Sequence, residues 1–419
     1  MKPLILNTFD TSSGSALAAL RLNQGLQSLG IDSQMLVFKK TSPNPAVLGL
    51  QTRWGNTIAK GSRALDPALL KLYQKFQPQI SGEEFSVPWV PDWTGQRIAA
   101  LKPDLLNLHW VNYGFLQIES LARLNKPLVW TLHDMWAFTG GCHYNQECDR
   151  YRQSCGACPQ LHSQREADLS RWIWQRKAQS WQGINLTVVT PSAWLAARAA
   201  ESSLFRDRRI EVIPNGIDTT QYQPLDRAMA RAKLNLPQDK RLILFGAINP
   251  TSASRKGFQL LQPALQSLRQ MGWQDHADLV IFGTDSSALE LGFQTHYLGK
   301  LNGDLALALA YSAADICVVP SVQENLPNTL VEAIACGTPC VAFNVGGNSE
   351  IIDHQQNGYL AQAYEVEDLA AGIAWVLASE RYQHLCEQAR QKAQAFTLEV
   401  QAQRYLHRFE EVVQPPPLP

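Results

Sequence analysis

No stretch of this chain stays apolar long enough to cross a bilayer, so a membrane-spanning helix is not what organises it. Net charge is missing as well. Lys plus Arg and Asp plus Glu number 37 each, and the whole-chain field gives no reason to expect nucleic acid as a partner. The first residues, Met1-Lys-Pro-Leu-Ile-Leu-Asn7, carry neither the apolar core nor the small-residue cleavage site of a secretory signal. A cytoplasmic protein is the expectation, with any membrane contact peripheral to the inner face. The glycine spacing of the dinucleotide fingerprint is also absent from the first strand-to-helix loop, Thr11-Ser-Ser-Gly-Ser15, which disfavours a nicotinamide-dependent oxidoreductase. No internal repeat is evident.

What is present is an ordinary globular composition, 45% hydrophobic and 18% charged, over 419 residues. That length exceeds what one hydrophobic core usually serves, so two domains are expected. The first half alternates strands and helices. Strand candidates are 4–7, 33–38, 105–110, 128–133, 186–190 and 210–214, with a helical pattern over 16–29 stopped by Gly30. After Pro214-Asn-Gly-Ile-Asp218 the alternation restarts, with strands at 242–246, 279–283, 295–298, 316–320 and 339–343. This is the pattern of two parallel, doubly wound α/β domains. The expected limits are 1–218 and 219–396, then a helix over 397–413 and a dispensable tail, 414–419. Residues 41–95 mix Pro, Gly and Trp with Arg53, Lys60, Arg63, Lys71 and Lys75, and no strand is assigned there; a solvated helical excursion is favoured over an acceptor-facing or membrane-facing insertion.

Ligands in such sheets lie beyond the strands' carboxyl ends, so the chemistry belongs to the loops that follow them. Four loops stand out. Glu324-Asn-Leu-Pro-Asn-Thr-Leu-Val-Glu332 sets two carboxylates around a helix start, with Pro327 suited to the first turn and Gly337 to the stop. Carboxylates there can grip hydroxyls while the helix end receives phosphate oxygens; the plainer reading has Glu324 capping the helix and Glu332 solvated. His133, beside Asp134, ends a strand where it can bond a sugar hydroxyl, and His109 ends another, either facing the same place or only packing. Arg255 and Lys256 precede Gly257 and a helical pattern, a position from which two cations can neutralise a diphosphate leaving group. Gly14 and Ser15 offer backbone N–H groups to an anion, or form a turn in which serine caps the helix.

Taken in order, Thr11–Ser15, Thr131-Leu-His-Asp134, Ile213–Asp218, Arg255-Lys-Gly257, Glu324–Glu332 and Gly346-Gly347 resemble the family-4 (group 1) retaining glycosyltransferases of the GT-B fold, over nearly the whole chain. The resemblance implies two Rossmann-like domains facing across a cleft, the acceptor on the first, a nucleotide-sugar on the second, and a last helix that crosses back. It implies that His133 and Glu324 contact the transferred sugar, that Glu332 holds the ribose, and that Asn325 and Leu326 turn backbone N–H groups toward sugar and phosphate. Gly14 and Ser15 then lie near the diphosphate. The family's usual arginine directly after the strand's glycine is Ala247 here, so either Arg255 takes over that role or the diphosphate is held less tightly.

The expected activity is transfer of a hexosyl group, with retention, from a UDP- or GDP-sugar to a hydroxyl of a glycan or lipid-linked acceptor, in polysaccharide or glycoconjugate synthesis. No catalytic divalent metal is expected, because the cations serve the leaving group. The alternative is a weakly active or inactive nucleotide-sugar or glycan-binding protein of the same fold. Four cysteines, Cys142-x5-Cys148-x6-Cys155-x2-Cys158, have the spacing of a closed structural zinc site; two disulfides, free thiols or an iron–sulfur cluster are the other readings. His143 replaces one thiolate or stays outside. This insertion, 140–160, is similar to that of a bacterial exopolysaccharide subgroup of the family. Finally, Arg171 to Trp181 mixes aromatics and cations on one helix, read as aromatics packed on the sheet with cations snorkelling outward rather than as a membrane-surface element.

Overall fold

A computed structural model describes residues 1–50, 65, 67–76, 84–246, 254–284 and 291–414. The chain divides into two compact units, Met1–Pro214 with Gln401–Pro419, and Asn215–Val400. Each is built on its own sheet.

In the first unit, β1 (Pro3–Phe9), β2 (Gln34–Lys39), β3 (Val47–Gly49), β4 (Leu105–Leu108), β5 (Leu128–Thr131), β6 (Leu186–Thr190) and β7 (Arg209–Val212) form a sheet in the order β3-β2-β1-β4-β5-β6-β7. Every pairing is parallel. The central strands are buried along their whole length because both faces are covered. Leu4, Leu6, Leu106, Leu128 and Trp130 point into one apolar layer, and Ile5, Val37, Leu105 and Val129 into the other. That second layer is completed by Ala402, Tyr405 and Phe409 from the chain's last helix, Leu398–Val413. Truncating Phe409 to alanine should cost about 3–5 kcal/mol.

In the second unit, β8 (Arg241–Gly246), β9 (Ala277–Phe282), β10 (Thr295–Gly299), β11 (Ile316–Val319), β12 (Cys340–Phe343) and β13 (Gly358–Ala361) run in the order β10-β9-β8-β11-β12-β13, again all parallel. The strand order reverses between β1 and β4 in one sheet and between β8 and β11 in the other. Those are the switch points at which open α/β sheets receive ligands.

The structure departs from expectation in four places. Strand β3 lies within the stretch to which no strand was assigned, and β13 was not anticipated; Arg53, Lys60 and Arg63 lie outside the described residues. The units part at Pro214/Asn215 rather than after 218, because the Ile217 N–H donates to Phe396 O (2.7 Å) and Leu398 N–H donates to Ile217 O (3.2 Å), which draws this segment into the second unit. Lys177 does not snorkel. It is fully buried, its ammonium donates to the carbonyls of Trp136 and Thr139, and it sits 3.7 Å over the Trp136 ring. Burial is the main reason its pKa falls to about 7. Among the described residues, no helix is long and apolar enough to cross a membrane.

Candidate functional site

In the first unit, the candidate residues gather beyond β1, β4 and β5. Helix Gly14–Ser28 follows β1, and Ser13 caps it by accepting from the Ala16 N–H at 3.2 Å. Gly14 and Ser15 therefore open the helix and point their N–H groups out of its positive end. Asp10 fixes this loop, accepting from the N–H groups of Thr41 (2.7 Å) and Ser42 (2.6 Å).

His133 lies two residues past β5. Its Nε2 is 2.8 Å from Nδ1 of His109, which directly follows β4, so the structure brings together two histidines of which the sequence favoured only one. Burial depresses both rings, His133 to about 4 with Asp134 opposing the shift, and His109 well below the ordinary histidine range, helped by the neighbouring ring. Asp134 turns away toward the loop. It accepts from Trp110 Nε1 (3.0 Å), the Trp136 N–H (2.8 Å) and His143 Nδ1 (2.7 Å). Burial works against both charges in that last pair, yet Asp134 is lowered and His143 raised, because each stabilises the other.

With its other nitrogen 2.8 Å from Ser86 Oγ, His143 is held away from the cysteines. The four thiols form no disulfide. They line one cavity of about 20 Å³ together with Phe85, Tyr151 and Ser170. The Gly140 N–H points at the Cys155 sulfur at 3.1 Å, and the amides of Gln160 and Leu161 point at that of Cys158. Among the described residues, no three His, Cys, Asp or Glu side chains stand ready-assembled around one point as a metal cage.

In the second unit, Glu324 follows β11 and is 5% exposed. Its Oε1 is 2.6 Å from Lys256 Nζ and its Oε2 is 3.0 Å from Arg255 Nη1; Arg255 also donates to Gln323 O at 2.8 Å. Burial alone would raise this carboxyl. The two cations overcome that and hold it at about 2. Two glycines let the backbones close around this trio. Gly257, φ +74, leaves room for Pro320 O where a Cβ would come within 1.8 Å, and Gly346, φ +58, does the same for Glu324 O at 1.7 Å.

Helix Asn328–Ala335 begins one residue after Pro327, which occupies its N-cap. Glu332 on this helix is not solvated: it is 4% exposed and accepts from the Tyr311 hydroxyl at 2.9 Å. Tyr311 was not singled out from sequence, since a tyrosine in an apolar helix reads as core. The side chain of Leu326 is in the core, so only its backbone can serve a ligand. Asn325 is buried beside it. Ala247 lies outside the described residues.

Known proteins share this organisation. The model for glycosyltransferase family 4 matches residues 12–221, and that for glycosyl transferases group 1 matches residues 226–395. The chain is 35% identical over 207 residues to a D-inositol 3-phosphate glycosyltransferase of Geodermatophilus obscurus, covering 46% of this chain and 45% of that protein. A namesake from Rhodococcus erythropolis is 31% identical over 215 residues, 48% of each chain. The chain thus spans about half the length of these relatives. An uncharacterized glycosyltransferase of Methanocaldococcus jannaschii is 25% identical over 70% of this chain and 78% of its own. Among solved structures, sucrose-phosphate synthase of Thermosynechococcus elongatus superposes with a TM-score of 0.67 at 20% identity, covering 98% of this chain and 99% of that one. Anabaena HepE, solved with UDP-glucose, gives 0.63 at 16% identity, covering 98% and 100%. At these identities the structural likeness is one of fold, two Rossmann-like domains of the GT-B class.

Proposed function

The chain belongs to glycosyltransferase family 4, and from that premise we propose that it is a retaining hexosyltransferase that takes its sugar from a nucleotide-diphosphate donor. The observation that carries this reading is the pair of cations, Arg255 and Lys256, gathered on the buried Glu324 at the carboxyl end of β11. A diphosphate leaving group develops negative charge as the glycosidic bond breaks, and two fixed cations at a strand end can receive it without reorganising. Glu324 then holds the cations in place and takes hydroxyls of the transferred sugar, while Glu332, oriented by Tyr311, takes those of the ribose. Asn325 and Leu326 offer backbone N–H groups alongside. In the first unit, Gly14, Ser15 and His133 serve the phosphate and sugar side.

The donor is a UDP- or GDP-sugar, and the acceptor is a hydroxyl of a glycan or lipid-linked glycan. Retention follows from front-side attack, in which the departing phosphate takes the acceptor's proton. The protein works in the cytoplasm, where nucleotide-sugars are made. Its four-cysteine loop, Cys142, Cys148, Cys155 and Cys158, would hold a structural zinc. A shared cavity and three amides aimed at two of the sulfurs support this, because thiolates on a metal are stabilised by such donors. The metal itself would complete the cage.

Incubation of the purified protein with a panel of UDP- and GDP-sugars tests the activity. Slow donor hydrolysis, accelerated by an acceptor, is the expected result. A donor that binds without turnover supports the binding-protein alternative, and a panel in which none stabilises the fold or is consumed removes the reading altogether.

A further inference from the structure

We propose that His109 and Asn107 are positioning residues that hold His133 in the tautomer protonated on Nε2, so that its Nδ1 meets the substrate as a hydrogen-bond acceptor. The substrate in this statement rests on the function proposed above; the tautomer does not.

The inference follows a buried chain of hydrogen bonds, each of which leaves only one choice for the next. Asn107 of β4 is fully buried, and its Nδ2 lies 3.0 Å from Val129 O and 3.0 Å from Thr131 Oγ1. A carbonyl oxygen cannot donate, so the amide nitrogen must face it. The other amide atom, Oδ1, is then the one that stands 3.0 Å from His109 Nε2. This oxygen only accepts, and so His109 carries a proton on Nε2.

His109 is buried and neutral, its protonated form disfavoured first by desolvation and then by His133. A neutral imidazole holds one proton, which leaves Nδ1 bare. The 2.8 Å bond from that nitrogen to His133 Nε2 needs a hydrogen, and His133 must supply it. The ring planes differ by 24° with centroids 5.1 Å apart, a separation at which the two rings meet edge to edge along the N···N line. His133 is itself neutral near pH 7, since burial depresses it more than Asp134 restores it. Its one proton is thus committed to His109, and Nδ1 becomes the ring's acceptor.

The far end of the chain is equally fixed. Thr131 Oγ1, which receives the Asn107 amide, is 2.8 Å from the hydroxyl of Tyr405 on the last helix. Asn107 faces Val129 because β4 and β5 pair in that register. A core histidine satisfied for packing alone would need one partner. Here the same relay runs through two side chains to the half-buried ring at the strand's carboxyl end.

Long-range proton–nitrogen NMR on histidine-labelled protein reads tautomers directly. At pH 7 the wild type is expected to show His133 protonated on Nε2. In His109→Leu, folded as judged by circular dichroism, the preference should relax toward a mixture of tautomers. In His109→Asn, whose Oδ1 takes the place of Nδ1, it should return. With an active donor, kcat should fall on the order of ten- to a hundredfold in His109→Leu with little change in donor KM, and recover in His109→Asn. A wild-type His133 protonated on Nδ1, or doubly protonated, overturns the proposal, as does an unchanged tautomer in His109→Leu. If no variant of His109 folds, the wild-type spectrum alone decides. A protein with the expected tautomer but no turnover refutes the function proposed above and leaves the relay standing.

Discussion

Lys256 Nζ and Glu324 Oε1, 68 positions apart in sequence, meet at 2.6 Å, and the carboxylate between Lys256 and Arg255 is almost wholly buried. A charge pair removed from water this far is valuable mainly because breaking it strands the survivor.

Glu324→Gln keeps the shape but leaves Arg255 and Lys256 without their counter-charge. Its stability should fall by about 3–5 kcal/mol, read from urea unfolding. Turnover should suffer more than in Glu332→Ala. Wild-type activity in both variants would refute the roles assigned to this pair.

Acid should act through the same carboxyl. Its pKa is about 2 in the fold against an ordinary 4.5, so the unfolded chain takes up the proton first. The stabilisation is complete above pH 4.5 and is lost as pH falls from there toward 2. In that window the wild type should lose up to about 1.4 kcal/mol per pH unit more than Glu324→Gln. Parallel stability profiles for the two proteins would show that the pair does not titrate with folding.

Tyr311→Phe removes the hydroxyl that fixes Glu332 while leaving the helix packing. Donor affinity, measured by calorimetry, should weaken by about tenfold, corresponding to one charge-assisted hydrogen bond, with the fold retained. Unaltered affinity would separate Glu332 from the donor.

Gly346→Ala and Gly272→Ala make a matched pair. Both glycines have positive φ, +58 and +86, but only at Gly346 does a Cβ meet backbone, at 1.7 Å, whereas nothing lies within 4 Å of the other. Gly272→Ala should lose about 1–2 kcal/mol from backbone conformation alone. Gly346→Ala should lose more and also displace Glu324, with turnover falling alongside; equal losses in the two would show that the close approach is relaxed at little cost.

Elemental analysis after expression in zinc-replete cells should find about one zinc per chain, and much less in Cys155→Ser with Cys158→Ser. A wild-type content far below one would set the four thiols down as free.

The central strands were legible because covering both faces of a parallel sheet demands unbroken apolar runs; β6 was read at its true bounds, 186–190. Strands β3 and β13 are short edge strands with few buried residues, and nothing in their composition separates them from loop. The site residues were legible as types at strand ends, not as partners. That Glu324 would engage Lys256 depends on how two loops approach, and that His109 would reach His133 depends on the register of β4 on β5. Lys177 misled for a similar reason, since a helical pattern says which face is apolar but not that carbonyls wait beneath it.

The first unit's inner layer is finished by Ala402, Tyr405 and Phe409, residues from the chain's last helix. On the ribosome, therefore, this half of the protein cannot bury Ile5, Val37 and Val129 fully until almost all 419 residues have been made. The order of synthesis and the order of completion are opposed. A polypeptide cut short anywhere before that helix leaves this apolar face uncovered.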